Sequence, residues 1–452
     1  MKTTRRNAVK FIAGSAVGAV FTPAPWHLIR DSALWSENWP GIPRPARGEV
    51  TSKVTRCALC PGGCPVRARC VGGQPVSLAG VEGGLCPLGV TGHHLPYHPR
   101  RLGRGPVAEA RKAADAALAR GARPAVLDLR PRRPESALYR RAMANRGGYY
   151  LAPPAPAVGI DLKAARTVIS LGVPLLEGWL PPARVFAARD GFRLVQIEPA
   201  LSRTAALADE WLPRCDDAAA LARARQSEGQ VLVIDPAMSA AVVALNRELG
   251  GWEKTMLPLG DEPAMNVAAA PDGSIGLLYI DESGPGAYLP WPEIERKLAP
   301  DAVVVALAWW QDGYARHTQF ALPTAVWPEP ELIKPLEGVV DPVEFITGHV
   351  VGQAVPPANP ALPGGTAWPT ITTPLFSKVY QESGLLLAPS QVAVDPASGF
   401  AAGDRAYLVA SRGRIPVTVV VDAGLPPGDI RFQPTPAVLD LCGGETPKVV
   451  RA

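Results

Sequence analysis

The chain lacks any run of about 20 consecutive apolar residues, the length needed to cross the hydrocarbon core of a bilayer. Its longest apolar stretches, 11–21 and 302–310, fall well short, and the second reads as a buried strand. It also lacks a strong charge of either sign. Against 46 basic residues stand 41 acidic ones, leaving a net charge of +5. Part of that excess sits in the first ten residues and in 100–104, so no basic stripe marks a nucleic-acid groove. No H-E-x-x-H, no C-x-x-C-H and no Ser/His/Asp arrangement occurs, which excludes the usual zinc-protease motif and c-type haem attachment. Disorder is excluded by composition, because 47% of the 452 residues are apolar and only 19% charged. That length allows two to four domains, and 50 prolines predict many connections and few long helices.

Cysteine is scarce but clustered. Of seven, five lie between Cys57 and Cys86, with Cys215 and Cys442 far away. A disulfide framework spreads through a small secreted domain, whereas clustering in a long chain argues for a metal centre. The spacing is Cys57-x2-Cys60-x3-Cys64-x21-Cys86. The loop Cys57-Ala58-Leu59-Cys60-Pro61-Gly62-Gly63-Cys64 brings three thiolates together, and its glycines let backbone N–H groups approach sulfur. All-sulfur ligation suits a [4Fe–4S] cluster or zinc, and spacing alone leaves both open. Cys70, in an alternating segment, reads as a packed thiol, and Cys215 and Cys442 as buried thiols. His93, His94 and His98 read as surface residues, with packing beside the cysteines or contact with a partner's haem as the alternative.

Residues 1–29 read as a targeting segment. Arg5 and Arg6, followed by Lys10, precede the apolar run 11–21, as in signals of the twin-arginine export route. That route carries folded proteins and suits one that receives a metal cluster before export. The expected location is the periplasmic side of the cytoplasmic membrane.

From 107 onward, helix and strand patterns alternate. Helices are expected at 107–120, 135–145, 182–189 and 237–249, and strands at 124–129, 167–172, 192–197, 231–235, 275–280 and 302–310. This predicts parallel sheets with crossover helices. Residues 353–376 hold six prolines without a period and read as an extended linker. Short strands follow at 406–410, 414–421 and 429–432.

These pieces resemble the molybdopterin oxidoreductase superfamily of the dimethyl sulfoxide reductase type. The likeness rests on the cysteine spacing, Val71-Gly72-Gly73-Gln74-Pro75-Val76, Gly84-Leu85-Cys86-Pro87-Leu88-Gly89 and the Arg100-Arg101 pair. It also rests on Gln196-Ile197-Glu198-Pro199 leading to Thr204-Ala205-Ala206-Leu207-Ala208-Asp209. The twin-arginine start and Trp35-Ser36-Glu37-Asn38-Trp39-Pro40 add likeness to the molybdopterin-like subunits of respiratory quinone reductases, those of menaquinone reductase and alternative complex III. The resemblance implies an α/β fold: a small iron–sulfur domain (50–103), an α/β domain in two pieces (104–157 and 229–340), an inserted Rossmann-like domain (158–228), a Pro-rich linker (341–385) and a shortened β-barrel-like domain (386–452). It implies a [4Fe–4S] cluster on Cys57, Cys60, Cys64 and Cys86. The implied partners are a multihaem cytochrome c, a ferredoxin-like iron–sulfur subunit and a polytopic quinone-binding membrane subunit.

Departures from the family pattern carry the functional expectation. Leu88 stands where relatives place a basic residue between cluster and pterin. Arg214-Cys215-Asp216-Asp217-Ala218 replaces the turn that grips the guanine nucleotide, with Asp216 reading as a helix N-cap. No cysteine lies between 101 and 157, and the one serine there, Ser136, reads as a helix-start residue rather than a molybdenum ligand. Asp115 and Asp128 fall in a helix and at a strand end. Molybdopterin is therefore not expected. The chain reads as an electron-transfer or scaffold subunit, with a reduced-size molybdopterin enzyme and a cluster-free structural subunit as the alternatives.

Overall fold

The computed structural model describes residues 48–348 and 390–452, except 60–62, 82, 99, 132, 154–157, 199–200, 214–216, 237, 259–264, 285–287, 330, 426, 434 and 444. The expected signal segment and the core of the expected linker, 353–376, lie outside the described residues.

The described chain begins with an antiparallel sheet, β1 (Val50–Arg56), β2 (Pro65–Val71) and β3 (Gln74–Gly80), in that order. In β2, Val66, Ala68 and Cys70 are buried while Arg67 and Arg69 face water, the alternation of a half-buried strand. Gly72 and Gly73 close the β2–β3 hairpin with φ of +56° and +84°. Such a two-residue turn needs positive φ at both positions, which glycine adopts without strain. A short helix, α1 (Pro87–Thr91), follows and runs into a 3-10 helix at Gly92–Tyr97.

Next come α2 (Val107–Ala119), β4 (Pro124–Asp128), α3 (Pro134–Asn145) and β5 (Tyr149–Leu151), the first part of a parallel sheet. The chain leaves it for β6 (Val158–Ile160), β7 (Thr167–Leu171), α4 (Pro182–Ala188), β8 (Arg193–Ile197), α5 (Arg203–Leu207), β9 (Glu210–Leu212), α6 (Asp217–Gln226), β10 (Val231–Ile234), α7 (Ala240–Glu248) and β11 (Met256–Pro258). Here β10-β7-β8-β9 form a second parallel sheet. The chain then returns with β12 (Ile275–Glu282), α8 (Trp291–Glu295), β13 (Leu298–Ala308) and β14 (Phe320–Pro323). The first parallel sheet is thereby completed in the order β14-β13-β12-β4-β5.

That sheet is covered on both faces. Ala110, Ala114 and Ala117 of α2 and Tyr139 and Met143 of α3 pack with Val126, Leu277, Tyr279 and Val305 on one side. Ala125, Leu127, Leu278, Ile280 and Ala306 pack with Ile294 and Tyr314 on the other. Burial on two faces explains why β4 and β12 read as nearly continuous apolar runs. The expected linker at 341–385 opens differently: Pro342–Thr347 form a helix, α9, N-capped by Asp341 and packed against α3. Its Val343, Phe345 and Ile346 enter the core, an amphipathic signal that the nearby prolines obscure.

The C-terminal sheet joins β15 (Gln391–Val394), β16 (Arg405–Ala410), β17 (Gly413–Val421), β18 (Ile430–Phe432) and β19 (Lys448–Arg451) in the order β18-β15-β17-β16-β19, curled as a half-barrel. Helix α10 (Pro436–Cys442) ties it to the rest. Asp440 accepts from Tyr288 Oη (3.1 Å) and Trp291 N (2.9 Å) and pairs with Arg316. No described helix is long and apolar enough to cross a membrane.

Two contacts seat the N-terminal sheet on the α/β body. Gly84 lies so close to Pro182 and Ala183 of α4 that a Cβ would stand 2.6 Å from the Ala183 amide nitrogen. Arg101 pairs with Glu329 at 2.7 Å, their side chains 7% and 3% exposed, and also donates to the Trp309 carbonyl. Burial pushes the Glu329 carboxyl above its ordinary range, and Arg101 opposes that. Arg101→Ala leaves Glu329 buried without its cation and should cost about 3–5 kcal/mol of unfolding free energy at neutral pH. With Arg101 gone the folded-state pKa of Glu329 rises further, so the deficit should shrink as pH falls through that raised value. Urea melts across the acid range would test this; a deficit that grows on acidification contradicts the assignment.

Candidate cluster-binding site

Cys57 directly follows β1 and Cys64 directly precedes β2, so the loop between them is the hairpin connection. The Cys57 amide donates to the Cys64 carbonyl at 2.9 Å, extending the β1–β2 ladder by one step. Gly63 has φ of +55°, a left-handed turn immediately before Cys64. Cys86 is the N-cap of α1, and its Sγ accepts from the Gly89 amide at 3.5 Å. Cys57, Cys64 and Cys86 are 4–5% exposed. Cys60 lies outside the described residues. Cys70, buried on β2, packs in the same apolar cluster as Cys57 and Cys64, as expected for a packed thiol, and Cys442 is buried on α10. Cys215, with Arg214 and Asp216, lies outside the described residues.

The loop is held from below by tryptophans. Leu59, Trp309, Trp310 and Trp327 share its apolar cluster, and Leu85 and Leu88 pack against it. Gly92 is a required close approach, since a Cβ there would stand 2.4 Å from the Trp327 ring. The surface reading of the three histidines is corrected. His98 is 4% exposed and lies edge-on to Trp309 and Trp310, with ring centroids at 5.6 and 6.2 Å. His93 and His94 are half-buried with ring centroids 4.1 Å apart. Burial lowers His93 to about 3, helped by His94, and burial alone lowers His94 to about 4. The 3-10 helix carrying them is tucked between the N-terminal sheet and the end of β13, a long-range packing that the sequence pattern does not reveal.

The described sulfurs match an iron–sulfur cluster in kind. They are buried, they come from a tight loop and a separate turn, and a glycine N–H donates to one of them. Among the described residues no three His, Cys, Asp or Glu side chains converge closely enough to hold a single metal ion.

Beside the loop lies a cavity of about 650 Å³, lined by Ala58, Leu59 and Trp327 and by the C-terminal ends of β4 and β12. Parallel α/β sheets bind ligands at that end. Its charged lining sets Arg130 and Arg133 against Glu135, Asp281, Glu329, Glu331, Asp341 and Glu344. Both arginines are engaged by the protein. Asp128 and Asp281 are paired in register on neighbouring strands and are 0% and 1% exposed. One terminal nitrogen of Arg133 bridges them, at 2.9 Å from Asp128 Oδ1 and 2.8 Å from Asp281 Oδ2. Ser136 and Tyr150 donate to Asp128 at 2.5 and 3.0 Å, and Tyr139 and Ser283 donate to Asp281 at 2.9 and 2.6 Å. Arg130 donates to Ser283 Oγ at 2.5 Å and to the Ala58 carbonyl at 3.3 Å, linking the network to the cysteine loop. Ser136, expected only to begin a helix, does so on α3 and also secures Asp128. The sequence reading missed this network. Its one signal, an Asp at the end of one strand and next to last in another, acquires meaning only once β4 and β12 are known to be neighbours.

Comparison with known proteins fits this architecture. Acetylene hydratase from Pelobacter acetylenicus superposes with a TM-score of 0.59 at 11% identity, over 84% of this chain and 92% of that one. The fold is that of the molybdopterin oxidoreductases. A 110-residue stretch is 36% identical to the menaquinone reductase molybdopterin-binding-like subunit of Nitratidesulfovibrio vulgaris strain Hildenborough. It covers 23% of this chain and 16% of that protein, so the chain resembles that subunit over a short part of its length. No family model matches the chain.

Within this molybdopterin oxidoreductase fold, the buried bridge should be felt in stability. Burial pushes Asp281 up, but Arg133, Arg130 and the Ser283 hydroxyl outweigh it and hold the carboxyl below its ordinary range. Its contribution is therefore present above the ordinary aspartate pKa and is lost as pH falls through the depressed folded value. Arg133→Met should cost about 3–5 kcal/mol at neutral pH and flatten the acid limb of the stability profile. Chemical denaturation from neutral to strongly acid pH would measure both; an unchanged acid limb contradicts the pairing.

Proposed function

We propose that this protein is an iron–sulfur electron-transfer and scaffold subunit of a membrane-bound respiratory quinone reductase complex, holding a [4Fe–4S] cluster but no molybdopterin. The observation that carries this reading is the contrast between a buried cysteine loop and the acidic cavity beside it. A pterin dinucleotide brings phosphates, and carboxylates outnumber arginines in that cavity. Its two arginines are already committed to the protein's own aspartates, serine and carbonyl groups. Leu88 adds to the argument, since it packs into the apolar cluster and offers no donor toward a pterin.

In this reading Cys57, Cys60, Cys64 and Cys86 ligate the cluster, which takes up and releases single electrons. The remaining residues act on its surroundings. Gly89 N–H donates to the Cys86 sulfur and so favours the more negative, reduced state. Leu59, Trp309 and Trp327 exclude water around the loop. Resemblance to a menaquinone reductase subunit supports the respiratory setting. The twin-arginine start supports delivery to the periplasmic face of the membrane. The implied neighbours are a multihaem cytochrome c, a ferredoxin-like iron–sulfur subunit and a polytopic quinone-binding membrane subunit.

Anaerobically purified protein should hold about four iron atoms per chain with a broad visible absorbance, and neither molybdenum nor tungsten. Cys86→Ser should remove most of that absorbance while circular dichroism stays native. Stoichiometric molybdenum, or pterin fluorescence released on denaturation, would overturn the reading in favour of a reduced-size molybdopterin enzyme. A colourless protein without iron would favour a structural subunit.

A further inference from the structure

The N-terminal sheet has a property that the cluster does not explain. Strands β1, β2 and β3 contain Lys53, Arg56, Arg67 and Arg69 and no acidic residue. All four basic side chains are exposed, and none pairs with a carboxylate among the described residues. The register places Ser52 opposite Arg69 and Val54 opposite Arg67, so these residues share the outer face with Val50 and Arg56. Val50 is 56% and Val54 69% exposed, unusual for β-branched side chains in a seven-residue strand. Strand β1 pairs with β2 alone, and its other edge has no strand partner among the described residues.

A long, open, partly apolar edge is a template for strand addition, and proteins normally blunt or cover such edges. We propose that β1 is a docking edge that receives an extended, acidic segment of a partner polypeptide as a fourth strand. Strand addition supplies main-chain hydrogen bonds along the edge, and alternate side chains of the incoming strand meet the outer face. Carboxylates at those positions match Arg56, Arg67 and Arg69, and apolar residues match Val50 and Val54. A second copy of this chain is disfavoured, because full-length antiparallel self-pairing of β1 sets Lys53 opposite Lys53 and the strand carries no acid to offset them. An anionic membrane surface matches the charge but offers nothing to the open backbone edge. The strand ends at Arg56, one residue before Cys57, so a partner seated here lies beside the cysteine loop. The inference deepens the reading of the chain as a complex subunit and rests on it for the identity of the partner.

The test uses the full chain and a fluorescent decapeptide of alternating Glu and Val. The peptide should bind at low salt, weaken as salt rises, and slow hydrogen exchange at β1 amides. A Lys–Val decapeptide should bind about tenfold or more weakly. Combined Arg56→Gln, Arg67→Gln and Arg69→Gln replacement, on exposed positions, should weaken the Glu–Val peptide by a similar factor. Circular dichroism and iron content of the variant should match the parent. Equal binding of the two peptides, unaltered binding by the variant, or protection in the chain alone of the β1 amides that face away from β2, those of Val50, Ser52, Val54 and Arg56, would each overturn the proposal. So would charge-dependent binding to phosphatidylglycerol vesicles without peptide binding. Because iron content is read separately, loss of the cluster assignment and loss of the docking edge are distinguishable.

Discussion

The bridge that Arg133 makes between Asp128 and Asp281 organises the centre of the molecule. Two carboxylates at the ends of adjacent parallel strands are almost wholly removed from water, and their mutual repulsion would force β4 and β12 apart or hold one of them protonated. A single guanidinium answers both, and two tyrosines and two serines complete the hydrogen bonding. Because Arg133 stands at the start of α3 and Arg130 reaches the Ala58 carbonyl, the same interaction fixes the crossover helix, the mouth of the sheet and the cysteine loop relative to one another.

That arrangement gives the cavity its character. In an open α/β sheet this end is where a ligand's charge would be balanced by protein dipoles and cations. Here the cations are internal partners of the protein's own aspartates, and the carboxylates left over, Glu135, Glu331, Asp341 and Glu344, face the space. The region keeps the shape of a binding site while its electrostatics suit an anionic ligand poorly. Glu282, next to Asp281, illustrates the same inward turn. Burial raises its carboxyl to about 8, opposed by donors from Trp310 and Tyr314, and Gly313 leaves it just enough room.

Much of the architecture was legible in residue patterns. The continuous apolar runs of β4, β7, β10 and β12, separated by amphipathic helices, predict parallel sheets, and the strands and helices stand within a few residues of expectation. Helix α9 was obscured because its signal is short and follows prolines. The histidines were misread because a 3-10 turn has no period to betray its buried side, and only packing against Trp309 and Trp310 buries His98.

By itself the sequence determined the kinds of element and the spacing of four cysteines, because these depend on local chemistry and short-range pattern. Tertiary structure alone decided which charges meet. Asp128 and Asp281 are 153 positions apart, and Arg101 and Glu329 228 apart. Their pairing follows from strand order and helix crossover, which bring distant residues into a water-poor interior where each charge must find its counterpart.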